Sequence, residues 1–382
     1  MSKYIRRIKK PEKHLAPRLG RLDIELTERC NNNCIHCCIN LPENDREAKA
    51  REMTTGQIEA ILGEAADLGC LQVRFTGGEP LLRSDFEYLY LFARRLGLKV
   101  LLFTNARLLT PHLASLFART PPLEKIEITV YGMQADSYES VSRKPGSYDQ
   151  FMQGINLLLE YKIPFTVKYA LLPPNRHELE EFEAWAQSLP WTTRPPGYSM
   201  FLDLRNRCDD ADKNRLITSL RISPGDGVAV LTRNAKVYRK DMKEFALKFM
   251  GPPGDALFNC GAGEAPCIDA YGYAQPCLGL RSPELKVCVL GKKNPSSLND
   301  ALDRYSKLYE LRAENPEYSR RCAVCFIKSL CEQCPAKSWA EHGTLDTPVE
   351  YFCEAAHAQA RWLGWLDKEE KAWTVKNWKE RI

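Results

Sequence analysis

The sequence lacks the marks of a secreted or membrane-embedded protein. Its 382 residues contain no stretch near the ~18 consecutive apolar residues of a membrane-spanning helix. The basic residues 6–10 lead into Pro11 and further charged positions, whereas a secretory signal would continue with an apolar segment. We therefore expect a cytoplasmic protein that does not associate with a membrane.

A strong excess of charge is also missing. The chain carries 54 Lys and Arg against 49 Asp and Glu, and this formal net charge of +5 is spread along the sequence. Such a balance does not predict nucleic-acid binding. A composition of 44% hydrophobic and 27% charged residues is typical of soluble globular proteins and excludes a largely disordered chain.

Cysteine, in contrast, is abundant, with fifteen residues. A reducing cytoplasm disfavours a disulfide framework, so metal binding explains this number better. Only Cys70, Cys208 and Cys288 stand apart from recognisable motifs, and burial as small apolar side chains is the favoured explanation for them.

Short β-rich segments alternate with amphipathic helical segments between residues 21 and about 204. The predicted strands are Arg21–Thr27, Leu71–Thr76, Leu98–Thr104, Lys125–Tyr131, Pro164–Leu171 and Tyr198–Leu204. Repeated βα units build a parallel sheet, either open or curled into a barrel, with functional residues at the carboxyl ends of the strands. Capping patterns predict the helix starts at Thr54, Ser84, Thr110 and Ser147, with a further helix over His177–Leu189.

Strand and cysteine content divide the chain into five predicted parts. These are an N-terminal extension (1–20), the βα domain (21–225), a helical bridge (226–258), a cysteine-rich domain (259–360) and a C-terminal helical tail (361–382). The Gly251-Pro252-Pro253-Gly254 segment supports a break within the bridge.

The segment Cys30-Asn-Asn-Asn-Cys34-Ile-His-Cys37 directly follows the first predicted strand. Three thiolates within eight residues can hold a 4Fe–4S cubane and leave one iron open to a further ligand. A closed zinc site is the alternative, with Cys38 or His36 as the fourth ligand.

This cysteine motif, followed by Thr76-Gly77-Gly78-Glu79-Pro80 at the end of the second strand, resembles the radical S-adenosylmethionine (AdoMet) superfamily. The resemblance implies a partial (β/α)6 TIM-type barrel and a 4Fe–4S cluster on Cys30, Cys34 and Cys37. The open iron would bind the methionine part of S-adenosyl-L-methionine, which the reduced cluster cleaves to a 5′-deoxyadenosyl radical. The AdoMet contacts implied by the resemblance are Gly77, Gly78, Glu79, Pro80, Asn105, Thr129 and Arg143.

A second group of cysteines resembles the SPASM domain, a small cysteine-rich domain that holds two auxiliary 4Fe–4S clusters in radical AdoMet enzymes. The resemblance assigns an outer cluster to Cys322, Cys325, Cys331 and Cys353, and an inner cluster to Cys260, Cys277 and Cys334. The inner cluster's fourth ligand stays open: Cys267 and Cys288 are candidates, or one iron has no protein ligand. The spacing also permits a zinc ribbon.

The resemblance to SPASM enzymes implies a peptide-maturase-like oxidoreductase that abstracts hydrogen from a ribosomally made peptide or protein and then oxidises, cross-links or epimerises it. A flavodoxin- or ferredoxin-type protein would supply the electron. About 20 residues precede the first strand, too few for a fused leader-recognition domain, so the resemblance implies a separate leader-peptide recognition protein or none. The alternatives are a dehydrogenase or epimerase of a small carbohydrate or aminocyclitol, and a non-catalytic zinc-binding protein. The general base is left among Asp203, Asp269, Tyr271 and Glu264.

Overall fold

The computed structural model describes residues 19–290, 297–331 and 334–382. The predicted extension 1–20 therefore lies almost entirely outside the described residues. Fourteen α-helices lie within the described ranges. They are α1 (Arg46–Arg51), α2 (Thr55–Asp67), α3 (Phe86–Arg95), α4 (Pro111–Arg119), α5 (Ala135–Ser142), α6 (Ser147–Glu160), α7 (Leu179–Ser188), α8 (Ala211–Leu220), α9 (Pro224–Leu231), α10 (Ala235–Phe249), α11 (Leu298–Tyr305), α12 (Pro316–Arg320), α13 (Pro335–His342) and α14 (Glu350–Leu363).

The strands are β1 (Arg21–Thr27), β2 (Arg29–Cys30), β3 (Leu41–Pro42), β4 (Gln72–Gly77), β5 (Lys99–Thr104), β6 (Leu123–Val130), β7 (Phe165–Ala170), β8 (Gly197–Ser199), β9 (Cys267–Ile268), β10 (Tyr273–Gln275) and β11 (Val287–Cys288). Nine of them form the central sheet, in the order β11-β10-β9-β1-β4-β5-β6-β7-β8, and β2 and β3 form a separate short pair. Strands β1 and β4 to β8 are parallel neighbours in chain order. The predicted (β/α)6 architecture is thereby confirmed.

Alternation along β1 separates the apolar core from the polar interior of the partial barrel. Leu22, Ile24 and Leu26 are fully buried in the main hydrophobic cluster together with apolar residues of α2. The residues between them point to the opposite face, because side chains alternate along a strand. Glu25, on that face, lies in register with Thr76 of β4. Polar side chains of adjacent strands thus lie next to each other in the interior of the partial barrel.

The cysteine-rich segment continues this sheet. Strand β9 pairs in parallel with β1, with Asp23 opposite Cys267 and Ile24 opposite Ile268. Strands β10 and β11 extend the sheet in antiparallel fashion. Helix α14 packs against α9, which begins in the last residues assigned to the barrel. Strand β1 of the barrel therefore pairs with β4 on one side and with the cysteine-rich segment on the other.

Two of the predicted helix caps are confirmed, and two are wrong. Thr54 forms the complete capping box with Gln57, and the Thr110 side chain accepts a hydrogen bond from the Leu113 amide. Ser84 does not cap α3: Asp85 holds the N-cap position, but its carboxylate is occupied by Arg83 and Thr55. At α6 the N-cap is Gly146, since the Ser147 hydroxyl pairs with Ser142 instead.

Among the described residues, no helix is both long and apolar enough to span a membrane.

Candidate active site and cysteine sites

A cavity of about 280 Å³ lies at the carboxyl ends of the parallel strands. Its lining combines the first cysteine motif with the ends of four strands of the barrel. The predicted site residues that line it are Cys30, Cys34, Cys37, Gly77, Gly78, Asn105 and Thr129. Two motifs nearly 40 residues apart in sequence, together with three further strand ends, thus share one cavity, which we call the barrel cavity.

The cysteine loop is held against the end of α5 by its backbone. The Asn33 amide donates to the Ser142 carbonyl at 2.9 Å, and the Ile35 amide donates to the Val141 carbonyl at 3.0 Å. These carbonyls belong to the last turn of the helix, where carbonyl groups have no hydrogen-bond donor within the helix itself. The loop is therefore positioned by main-chain bonds that do not depend on its side chains.

Two thiols of this loop, those of Cys30 and Cys34, are buried and lie near unused hydrogen-bond donors. Burial raises the pKa of Cys34 to about 12 and that of Cys30 well above its ordinary value. The Asn32 amide donates to the Cys30 sulfur at 3.4 Å, while the buried Asn32 Nδ2 and His36 Nδ1 have no partner among the described residues. Buried groups of this kind usually find a partner. Thiolates and the sulfides of a cluster would provide acceptors.

The two glycines are required by close backbone packing. Gly77 has φ +124°, and a Cβ there would lie 2.0 Å from the Thr27 carbonyl oxygen. A Cβ on Gly78 would lie 2.2 Å from the Arg29 carbonyl oxygen. The Gly78 and Glu79 amides donate to these same two carbonyls, at 2.7 and 2.9 Å. The end of β4 is thereby fixed against the start of the cysteine loop.

Glu79 is fully buried, and its carboxylate binds the protein itself. It accepts hydrogen bonds from the Leu81 amide at 3.1 Å, the Thr104 hydroxyl at 2.9 Å and the Asn105 amide at 2.8 Å. Burial raises the pKa of Glu79 to about 7. Its carboxylate thus fixes the end of β5, and neither Glu79 nor Pro80 contributes to the lining of the barrel cavity.

Asn105 and Arg143 differ in their position relative to this cavity. The Asn105 amide group donates to the Asn31 side chain at 2.7 Å and approaches the Cys30 sulfur at 3.8 Å. Arg143 ends α5 in a left-handed conformation with φ +53°, and its side chain is exposed outside the cavity lining. Asn105 therefore belongs to the cysteine environment, whereas Arg143 lies at its outer edge.

Two cationic residues near the loop carried no recognisable sequence signal. The Lys213 ammonium on α8 donates to the Cys34 carbonyl at 2.7 Å, and Arg107 donates to the Asn31 carbonyl at 2.6 Å.

Of the four candidate bases, only Asp203 lines the barrel cavity. Tyr271 donates to Glu28 at 2.6 Å, and Asp269 accepts from the Tyr271 amide. Glu264 accepts from the exposed Tyr309 hydroxyl.

Four cysteines of the C-terminal segment line a second cavity, which we call the outer cysteine site. They are the four that the resemblance assigned to one cluster: Cys322, Cys325, Cys331 and Cys353. Arg321, Lys328, His357 and Trp373 are among the other residues that line it. The buried Arg321 Nε atom has no hydrogen-bond partner within the described ranges, so the site also offers a free donor to an inorganic sulfide.

The three cysteines predicted for the inner cluster are neighbours as well. Burial, followed by the nearby Cys260, raises the pKa of Cys277. Burial also raises the pKa of Cys334 to about 11, with a further contribution from Cys277. Cys267 lies elsewhere: it is buried on β9, with its sulfur 3.8 Å from Arg281. Cys288 lies on β11, opposite Tyr273.

Within the described ranges, no group of three or more His, Cys, Asp or Glu side chains converges tightly enough to hold a single metal ion. A tetrahedral zinc site needs sulfur atoms about 2.3 Å from one common centre. The irons of a cubane occupy separate corners, so its cysteine ligands stand farther apart. A cubane and a zinc ion therefore require different arrangements of their cysteine ligands.

Residues 24–186 match the protein family described as the Radical SAM superfamily. The matched segment makes up less than half of the chain. Members of this family use AdoMet and a 4Fe–4S cluster, which are the predicted cofactors. The matched range begins within β1 and ends within α7, so it contains the cysteine loop, both glycines, Asn105 and Thr129.

Several proteins are similar to this chain over most of its length. An AdoMet-dependent heme synthase of Methanosarcina barkeri is 25% identical, over 86% of this chain and 94% of its own length. The mycofactocin maturase MftC of Mycolicibacterium smegmatis is 29% identical, over 90% of this chain and 84% of its own. A solved structure of anSMEcpe with bound AdoMet and Cp18Cys peptide has a TM-score of 0.59 at 13% identity, covering 90% and 96% of the two chains. The last likeness concerns the fold.

Proposed function

We propose that this chain is a radical SAM enzyme, and specifically a peptide-modifying oxidoreductase with three iron–sulfur clusters. The observation that carries the proposal is the barrel cavity, in which the three motif cysteines meet the glycine segment and the ends of β5 and β6. Active sites of βα barrels lie at this end of the strands, because the loops that follow the strands converge there. Both the position and the residue types suit cofactor-dependent catalysis.

In this proposal Cys30, Cys34 and Cys37 hold the first cluster, and Asn105, Thr129, Gly77 and Gly78 border the bound AdoMet. When bound, these cofactors would supply the radical chemistry that removes a hydrogen atom from the substrate. The chain's own residues position these groups. The α5 carbonyls hold the cysteine loop, and Glu79 fixes the start of the β5 loop through two hydrogen bonds, from the Thr104 hydroxyl and the Asn105 amide. Asp203 is the candidate base, because its side chain reaches the cavity.

The C-terminal cysteines hold two auxiliary clusters in this proposal. The outer cluster takes all four cysteines of the outer cysteine site. The inner cluster takes Cys260, Cys277 and Cys334, and neither Cys267 nor Cys288 completes it. The separate surroundings of Cys267 support this choice, since its sulfur faces Arg281 and the carboxylates near β1. A flavodoxin- or ferredoxin-type protein is the proposed electron donor. A separate leader-recognition protein is a further proposed partner.

A ribosomally made peptide is the proposed substrate. The similarity to a mycofactocin maturase over most of both chains supports it. So does the shared fold with an enzyme solved together with a peptide. The heme synthase relative, matched over 94% of its length, makes AdoMet-dependent heme formation the second candidate. The two candidates differ in substrate and share the first cluster.

Iron and product analysis of the anaerobically reconstituted protein tests the proposal. Three cubanes predict about twelve irons and about twelve sulfides per chain, and added reductant should convert AdoMet to 5′-deoxyadenosine. Cys34→Ala should lose about four irons and all 5′-deoxyadenosine formation. Cys70→Ala, which removes a buried thiol outside the proposed sites, should lose neither. A colourless protein that carries only zinc would contradict the proposal.

Substrate assays distinguish the two candidates. Short peptides encoded beside the gene should change mass in the presence of AdoMet and reductant if the protein is a peptide maturase. An absorption change with added iron porphyrins, and no reaction with those peptides, would favour heme formation instead.

A further inference from the structure

Two side-chain donors converge on a single sulfur in the outer cysteine site. The Arg321 Nη2 atom lies 3.5 Å from the Cys353 sulfur, and the His357 Nδ1 atom lies 3.6 Å from the same sulfur. Both distances are suitable for hydrogen bonds to sulfur, which accepts at longer range than oxygen. Cys353 is thus contacted by two side-chain donors from different parts of the cysteine-rich segment.

The backbone of the C-terminal segment determines which imidazole nitrogen of His357 carries the proton. The Ala372 amide donates to His357 Nε2 at 3.1 Å, so that nitrogen accepts. In a neutral imidazole the proton then sits on Nδ1. This Nδ1–H also lies 2.8 Å from the Cys353 carbonyl oxygen, so it is shared between the oxygen and the sulfur of the same residue.

Arg321 is held in place by residues from two other elements. Its guanidinium carbon lies 4.6 Å from the centre of the Trp373 ring. Glu350, at the start of α14, accepts two hydrogen bonds from it at 2.6 and 2.9 Å. The Arg321 side chain is 14% exposed, whereas that of Glu350 is 62% exposed. The guanidinium therefore lies between solvent and the cysteines, with its buried Nε free to donate inward.

We propose that Arg321 and His357 are positioning residues that raise the reduction potential of the cluster in the outer cysteine site through N–H···S hydrogen bonds to Cys353. The inference rests on the proposed function, because that function places a cluster there. One-electron reduction adds a negative charge to the cluster and its thiolates. Hydrogen-bond donors and a cation stabilise the reduced form more than the oxidised form, so they shift the potential upward. The segment that carries Ala372 and Trp373 thereby becomes part of the metal site.

Redox titration followed by electron paramagnetic resonance tests this inference on the full-length protein with its clusters reconstituted. Arg321→Gln should shift the potential of one auxiliary cluster to a more negative value and leave the other two clusters unchanged. Arg320→Gln is the matched control, since this neighbouring side chain is 71% exposed and pairs with Glu317. Arg320→Gln should change none of the potentials.

A double variant separates the hydrogen bond from the charge of Glu350. In Arg321→Gln the exposed Glu350 loses its partner, and its own negative charge could lower the potential. The shift should persist in the Arg321→Gln, Glu350→Gln double variant if the N–H···S bond is responsible. His357→Phe should shift the same cluster in the same direction, because the ring volume is kept while the donor is lost.

The outcomes distinguish the inference from the function on which it rests. Iron near twelve atoms per chain with unchanged potentials in Arg321→Gln and His357→Phe would overturn the inference and leave the proposed function intact. A shift that disappears in the double variant would also overturn the hydrogen-bond account. Wild-type protein with only about four irons would mean that the auxiliary clusters themselves are absent.

Discussion

Arg281 and Glu25 form an ion pair whose side chains are 3% and 1% exposed, although the residues lie 256 positions apart in sequence. The pair links the middle of β1 to the loop that follows β10. Arg281→Met leaves the Glu25 carboxylate buried without its cation, so we expect a loss of about 3–5 kcal/mol in the free energy of unfolding. Denaturant unfolding of the two proteins measures this loss.

An exposed ion pair serves as its control. Arg320 and Glu317 are 71% and 47% exposed, so Arg320→Met should cost less than about 1 kcal/mol. The Glu25→Leu, Arg281→Met double variant should recover part of the stability lost by Arg281→Met alone, because no unpaired charge then remains. Equal losses at Arg281 and Arg320 would argue against a special cost at the buried pair.

Gly78→Ala should disrupt the first cluster while sparing the auxiliary ones. The added methyl group would lie 2.2 Å from the Arg29 carbonyl oxygen, so the end of β4 must move away from the cysteine loop. We expect about eight irons instead of about twelve after reconstitution, with loss of 5′-deoxyadenosine formation.

Gly63→Ala is the matched change for this comparison. Gly63 lies within α2, and nothing would come within 4 Å of an added Cβ. Alanine there should raise stability by about 0.5–1 kcal/mol through helix propensity and leave the iron content unchanged. Normal iron content in Gly78→Ala would contradict the conclusion that the first cluster needs a residue without a Cβ at this position.

Ionisation of Glu79 should make stability depend on pH. Burial raises its pKa from 4.5 to about 7, so the folded chain holds this proton more tightly than the unfolded chain does. The contribution to stability is full below pH 4.5 and is lost as pH rises to about 7, a change of roughly 3 kcal/mol. Glu79→Gln should lack this decline. Urea unfolding of the iron-free wild type and variant at several pH values between 5 and 8 gives the difference, and parallel curves would exclude the effect.

Cys267→Ser should retain all the iron of the wild-type protein. Its sulfur lies on β9 beside Arg281, away from the cysteines of both auxiliary sites. Cys277→Ser, a change of the same kind within the inner group, should lose iron. Iron analysis after identical reconstitution compares them, and a loss in Cys267→Ser would identify this residue as the missing fourth ligand.

The sequence predicted strand identity well because buried parallel strands carry dense apolar residues. Strand β1 has the predicted bounds Arg21–Thr27. Strand β8 is shorter than predicted, covering only Gly197–Ser199, because Met200 and the residues after it leave the sheet. Capping patterns were less reliable. A serine three residues before an acidic or amide residue caps a helix only if no other partner takes its hydroxyl, and Ser142 takes that of Ser147.

The candidate site was predictable where the ligands follow one another in the chain, and less so where folding brings them together. The cysteine motif and the glycine segment are short motifs of consecutive residues, so they could be predicted. Lys213, in contrast, reaches the Cys34 carbonyl from 179 positions away in the sequence. An isolated lysine on a helix has no pattern that distinguishes it from a solvated one. The orientation of Glu79 was hidden for a similar reason, since only the register of β5 shows that Thr104 and Asn105 meet its carboxylate.

The pairing of β1 with β9 bears on how the newly made chain can fold. During synthesis β1 emerges early, but its outer edge acquires its partner only after Cys267 and Ile268 have left the ribosome. Until then a strand rich in buried apolar residues is open on one side, and open edges of this kind invite pairing with other chains. Contacts so distant in sequence also form slowly. We therefore expect a nascent chain that depends on chaperones, and fragments ending before β9 that aggregate.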